Sequence, residues 1–240
     1  MIVLALESTA KVASVAVRKD GKLLYSAQAN NGLTHSEHLL PMVEEALSLT
    51  HIDLENVSLL CCTNGPGSFT GVRIATSILK GFALLKDTPV VGVSTLHSLA
   101  QNLVPLPGIY CPVMDARREQ VYSALFSFDG QALTRLCEDE AISLQDLAKK
   151  LEAFSGQPIY FVGDGHAVAT AYMEKAGVCF ANTPPALIWQ NAASTAEVAE
   201  QLYATGEYTT AKALSPFYLR LPQAERERLA GELHTPVGNV

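Results

Sequence analysis

Hydrophobic and polar positions alternate in short runs from the first residue of the chain. Residues 2–6 form an apolar run that Glu7 ends, and Ala13–Lys19 alternates around Val15 and Val17. Asp20-Gly21 is a hairpin turn, and Lys22–Ala29 returns from it, so three linked strands open the chain. A helical stripe follows. Leu39, Met42, Val43, Ala46 and Leu47 lie at i, i+3, i+4, i+7 and i+8, behind a Thr34-His-Ser-Glu37 capping box. Pro41 either sits in the first turn of a later-starting helix or kinks one that starts at Thr34. Residues 57–63 read as a buried strand. The glycine-rich stretch from Asn64 to Gly71 leads into a second helix, where Ile74, Ile78 and Leu85 share a face beside Ala75, Leu79 and Phe82. A strand over 89–93 comes next, and then a helix capped by Ser94 that carries Leu96, Leu99 and Leu103.

Residues 1–104 therefore read β-β-β-α-β-α-β-α. Two prolines and a glycine in 103–108 break both periods and mark a boundary. The second segment, 105–222, opens with strands over 109–114 and 120–128 around the polar Asp115-Ala-Arg-Arg-Glu119. Asp129-Gly130 turns the chain into 131–136. Ser143 caps a helix with Leu144, Leu147 and Leu151. Ile159–Val162 is a strand, and helices follow over 167–176 and 195–204. Residues 223–240 form a polar tail expected to fray.

The 240 residues are 48% hydrophobic and 17% charged, which excludes disordered and fibrous classes. Acidic residues outnumber basic ones, 24 to 17, for a formal charge of −7. A broadly cationic nucleic-acid binder is thereby disfavoured. Five cysteines with no CxxC pair exclude a zinc ribbon or thioredoxin-type motif, and Cys61-Cys62 read as small core residues. No basic region precedes the first apolar run, and no stretch approaches the roughly 20 apolar residues of a membrane helix. A cytoplasmic protein without membrane contact is the expectation.

The chemistry concentrates in Gly65-Pro-Gly-Ser-Phe-Thr-Gly-Val-Arg73, which joins a buried strand to a helix N-terminus. Such a junction exposes amides that favour anions. A Walker A loop fails for want of its lysine, and a nucleophile elbow around Ser68 fails because Pro66 and Thr70 stand where glycines are needed. A tight turn capped by Ser68 or Thr70, an anion contact and a docking surface all stay open. His35 and His38 could share a helix face and bind zinc, but no third ligand is visible and Pro41 disturbs the helix. Asp115, Arg117, Arg118 and Glu119 could form an acid–base cluster, but read better as a hairpin end, with Asp115 and Arg117 as a local ion pair or a latch between lobes. Asp164 in Gly163-Asp-Gly165 either caps a strand–helix turn or stands in a phosphate-contacting turn. His51, His97 and His166 have no partner in sequence. No catalytic, cofactor or metal set is assigned.

Gly65-Pro-Gly-Ser-Phe-Thr-Gly-Val-Arg73 closely resembles the signature of the TsaB (YeaZ) family. Five further segments fall in that family's order: Ile2-Val-Leu-Ala-Leu-Glu-Ser-Thr9, His35-Ser-Glu-His-Leu-Leu-Pro41, Val91-Gly-Val-Ser-Thr-Leu96, Met114-Asp-Ala-Arg117 with Glu119, Val121 and Tyr122, and Pro216-Phe-Tyr-Leu-Arg220. The resemblance spans residues 1–220. It implies an α/β, actin-like and ribonuclease H-like (ASKHA) fold of two related lobes, each with a mixed sheet and packed helices. It also implies an accessory subunit in making threonylcarbamoyladenosine on tRNA, without catalysis of its own. The implied partners are the catalytic TsaD paralogue and the TsaE ATPase, with TsaC in the same pathway, a homodimer when alone, and tRNA contact mainly through partners. Leu39, Leu40, Val43 and Leu47 on the first helix and Ile74, Ile78 and Phe82 on the second are the expected interface. One departure stands out. Nucleotide-binding members of the superfamily carry aspartate at the first strand-turn, where this chain has Glu7. The alternative reading is a small-molecule kinase or ATPase of the same fold. A peptidase is the least supported reading, since no HExxH, G-x-S-x-G or Ser/His/Asp set can be placed.

Overall fold

A computed structural model of the chain describes residues 1–32 and 34–220. In chain order the first half holds β1 (Ile2–Glu7), β2 (Ala13–Lys19), β3 (Lys22–Ala29), α1 (His35–Thr50), β4 (Leu59–Gly65), α2 (Phe69–Ala83), β5 (Val90–Ser94) and α3 (Thr95–Gln101). The second half holds β6 (Gly108–Asp115), β7 (Gln120–Ser123), β8 (Phe126–Phe128), β9 (Leu133–Arg135), β10 (Glu140–Ser143), α4 (Leu144–Leu151), β11 (Ile159–Val162), α5 (His166–Ala176) and α6 (Ala192–Ala204). The tail expected over 223–240 lies outside the described residues.

The first sheet is ordered β3-β2-β1-β4-β5. Strands β1, β2 and β3 form an antiparallel meander, while β4 and β5 join β1 in parallel. Its central strands are covered on both sides, and their side chains alternate between two cores. Leu4, Leu6, Leu60 and Cys62 face α1 and α2. Val3, Ala5, Leu59 and Cys61 face Ala192, Ala196 and Ala199 of α6.

The second sheet is ordered β10-β7-β6-β8-β9, with β11 parallel to β6 on its other side. The single strand expected over 120–128 is split into β7 and β8. Both halves nevertheless keep one register on β6, from Tyr110↔Phe126 to Val113↔Ser123. The break lies opposite Cys111-Pro112. Proline has no amide to donate, so the ladder lapses there. The Ser123 hydroxyl donates to the Pro112 carbonyl at 2.9 Å instead. Helices α4 and α5 cover one face of this sheet. Leu96, Leu99 and Ala100 of α3 cover the other, against Tyr110, Met114 and Phe126.

The helices are thus exchanged between segments. α3 precedes residue 104 yet packs on the second sheet, and α6 belongs to the second half yet completes the first. The two also touch each other, with the Ser98 and Thr195 hydroxyls 2.8 Å apart. Arg18 of β2 fixes α6 in place through Glu197 at 2.7 Å and Glu200 at 3.1 Å. Arg18 is almost buried while Glu197 is 39% exposed, so it is loss of both glutamates that would leave an uncompensated buried charge.

Candidate functional site

The glycine-rich loop is clamped from both sides. Ser68 is the N-cap of α2, its hydroxyl accepting from the Gly71 amide at 3.3 Å. The Ser68 amide donates to the Thr9 carbonyl at 2.7 Å, and the Ser8 hydroxyl donates to the Gly71 carbonyl at 2.8 Å. A Cβ on Gly71 would stand 1.9 Å from the Ser8 carbonyl oxygen, and one on Gly67 2.5 Å from that of Thr9. Glycine is therefore required at 67 and 71 for backbone to meet backbone. Gly65, at φ +123°, faces the Phe217 carbonyl, 2.1 Å from where its Cβ would be. Two of the amides that a phosphate cradle would use, those of Ser68 and Gly71, are occupied within the chain. Pro66 is buried at the base of the turn. Thr70 lies on its exposed side, beside Lys11, Thr34 and Ser68, around an open cleft of about 440 Å³.

Between the lobes lies a group of polar side chains with unmet hydrogen bonds. Glu7, at the end of β1, is fully buried. Its Oε1 accepts from the Thr9 amide at 2.6 Å and the Thr9 hydroxyl at 2.5 Å, while Oε2 has no partner. Burial pushes the Glu7 carboxyl up, against the opposing pull of the Thr63 and Thr9 hydroxyls. Asp164, in the turn before α5, is pushed up to about 6 by burial and by Asp115, with Lys11 and Gln190 opposing. Thr63 Oγ1, Asp164 Oδ1 and both amide atoms of buried Gln190 also lack a partner. The Asp164 carboxylate adds a smaller push in the same direction at Glu7. The extra methylene of Glu7 folds its carboxylate back onto the Thr9 turn, and that carboxylate serves the turn.

The expected interface residues divide. Leu39 and Val43 are 0% and 1% exposed in the chain's own core, which corrects their assignment to a contact surface. Leu47, Ile74, Ile78 and Phe82 pack partly against that core. Leu40 is 42% exposed, and Leu49, Leu84 and Leu85 are 63%, 75% and 69% exposed at the helix ends. The helical period identified the stripe without distinguishing its inner from its outer edge. α1 runs from His35 straight through Pro41. Thr34 caps it, donating its amide and hydroxyl to Glu37 at 3.2 Å and 2.7 Å. His35 points to the Ala10 carbonyl at 2.6 Å and His38 to Asn31 at 3.4 Å, so the two do not converge. Among the described residues no group of three His, Cys, Asp or Glu is placed to hold a metal.

Two arrangements go beyond the sequence reading, one a side-chain cluster it did not contain and one the backbone of the hairpin end it did. Ser94 donates to Asp139 at 2.6 Å, and Arg135 donates to the same carboxylate at 2.6 Å. His97 stacks on Phe126, and Arg135 lies over that ring at 4.6 Å. Burial and then Arg135 hold His97 down at about 4, against Asp139 and Glu207. The serine gives its proton to the carboxylate, so this cluster ties the end of β5 to the β9–β10 loop and is no Ser-His-Asp relay. The second arrangement is the turn after β6. Arg117, Arg118 and Glu119 are all left-handed, at φ 66°, 55° and 54°. Each costs about 1–2 kcal/mol. Asp115 offsets part of this by accepting from the Arg117 amide at 2.8 Å, while its contact with the exposed Arg117 guanidinium is a loose 3.9 Å.

Comparison with known proteins agrees with this geometry. The family model described as "TsaD: tRNA N6-adenosine threonylcarbamoyltransferase" matches residues 30–228. The chain is 30% identical over 226 residues to the tRNA threonylcarbamoyladenosine biosynthesis protein TsaB of Escherichia coli (strain K12), covering 92% of this chain and 95% of that one. The structure of YeaZ from Pseudomonas aeruginosa superposes with a TM-score of 0.75 at 26% identity, over 91% of this chain and 99% of that one. Component A of the Acidaminococcus fermentans (R)-2-hydroxyglutaryl-CoA dehydratase superposes at 0.51 with 12% identity, over 85% and 99%, and shares the fold alone. The architecture is the actin-like α/β fold of two mixed sheets with packed helices. Among the described residues no helix is long and apolar enough to cross a membrane. With its signature loop clamped in that fold, the chain belongs to the threonylcarbamoyladenosine-biosynthesis family, on its TsaB (YeaZ) branch.

Proposed function

We propose that this chain is a non-catalytic accessory subunit. It binds and supports the TsaD paralogue, which transfers threonylcarbamoyl from threonylcarbamoyl-AMP to N6 of adenosine 37 in ANN-decoding tRNA. The TsaE ATPase joins the complex, TsaC acts in the same pathway, and tRNA is held mainly by the partners. The observation that carries this reading is the apolar rim of the first lobe. Leu40 on α1 and Leu84 and Leu85 beyond α2 are exposed, and Ile74, Ile78 and Phe82 on α2 are only partly covered by the core. Exposed apolar side chains on neighbouring helices support a protein interface. The same rim accounts for a homodimer when the chain is alone. Glu7 supports the reading from the other side, since one of its carboxylate oxygens is held by the Thr9 turn and burial favours its neutral form. The decisive experiment is reconstitution of tRNA modification with TsaC, TsaD and TsaE, with and without this chain. Product should depend on its presence. Unchanged product would remove the role, and tight ATP–magnesium binding with turnover by the chain alone would replace it with the kinase or ATPase reading.

A further inference from the structure

The segment after α6 does something that the interface does not require. It leaves the first sheet at Thr209, whose amide and carbonyl pair with Val90 at 2.8 and 3.0 Å. Leu214 is buried in the core under α1 and α2. The chain then crosses the glycine-rich loop. The Phe217 amide donates to the Asn64 carbonyl at 2.6 Å, and the Asn64 side chain donates to the Ser215 carbonyl at 3.3 Å. Tyr218 stacks on Phe69 with ring centroids 4.6 Å apart, and its hydroxyl accepts from Arg73 Nε at 2.9 Å. Two residues later Arg220 has reached the other lobe. It donates to the Gln120 side chain at 2.6 Å and lies 5.7 Å from the centre of the Tyr122 ring. Gln120 is the first residue after the left-handed run Arg117–Arg118–Glu119.

We propose that residues 214–220 are a strap that couples the first turn of α2 to the left-handed turn of the second lobe, so that the two open and close as one unit. Each end is held by an aromatic–guanidinium pair plus a hydrogen bond, and the two anchors, Tyr218 and Arg220, are only two positions apart, which leaves little slack. Gly65 is part of the device, because any side chain there would displace the Phe217 carbonyl. Whatever seats on the start of α2 is then felt at the turn between β6 and β7. The coupling belongs to this chain alone and does not depend on the accessory role proposed above.

Native-state hydrogen exchange on the full chain tests it. The reporters are the amides of Gly71 and Val72 at one end and of Ala116 and Gln120 at the other, all hydrogen-bonded within their turns. Arg220→Ala removes contacts in the second lobe only, yet it should speed exchange of Gly71 and Val72 by about tenfold along with Ala116 and Gln120. Tyr218→Ala should do the converse. If Tyr218→Ala fails to fold, Tyr218→Phe, which loses only the bond from Arg73, should still raise exchange severalfold at Ala116 and Gln120. Acceleration confined to the end whose contacts were cut would overturn the proposal.

Discussion

At the scale of single residues, two buried titratable groups pull stability in opposite directions with pH. Asp164 binds its proton more tightly in the fold than in the unfolded chain, up to about 6 from an ordinary 3.8. The folded state therefore holds more protons in that window, and stability falls as pH rises through it. His97 is held at about 4 from an ordinary 6.5, so the unfolded chain binds more protons there and stability is lost as pH falls from 6.5 to 4. The two effects nearly oppose each other in the wild type between pH 4 and 6. In Asp164→Asn the melting temperature should gain on wild type as pH rises toward 6, and in His97→Gln it should gain as pH falls toward 4. Curves parallel to wild type from pH 4 to 7 would show that neither group titrates as described. Neither environment was legible in the sequence. Asp164 reads there as a turn cap, because what raises its proton affinity is burial, and then Asp115, 49 positions earlier and on a different element. The glycines at 67 and 71 were visible as a motif. Their reason, a carbonyl of the Ser8–Thr9 turn pressed against each, arises only once β1 and β4 lie side by side.

At the scale of elements, patterning carried most of the fold. Strands β2, β3 and β11 and the cap of α3 fall where alternation and Ser94 place them, because local signals and tertiary burial agree there. Pro112 divided one expected strand without moving its register. β10 carried no signal, since all four of its residues are half-buried and none alternates. The inner and outer edges of α1 give a sharper test. Leu40→Glu should leave the fold intact, within a few degrees of the wild-type melting temperature, while weakening association with a copy or with the paralogue about tenfold or more by gel filtration and titration. Leu39→Glu, one residue away, should unfold the chain, since it buries a charge in the core. Unaltered association in a folded Leu40→Glu variant would take α1 out of the interface.

For the whole molecule, the two sheets divide between Ser94 and Gly108, but the cores on them are shared. A chain of residues 1–104 would expose Val3, Ala5, Leu59, Cys61, Val91 and Val93, the face that α6 covers. It should aggregate or bind hydrophobic dyes, and adding residues 105–220 in trans should relieve this. A soluble monomer of 1–104 with a cooperative melt would show that α6 is dispensable. The net charge of −7 fits a protein that works through its protein-facing surfaces. The exchange of α3 and α6 also bears on how the protein is made. Ser94 ends the first sheet, and α6 begins at Ala192, roughly one hundred residues later. At ordinary synthesis rates that delay is about 5–20 s. Through that interval the nascent first lobe holds one apolar face open on the ribosome. Its final closure waits until α6 has been made, so a chaperone has a defined surface and a defined moment in which to act.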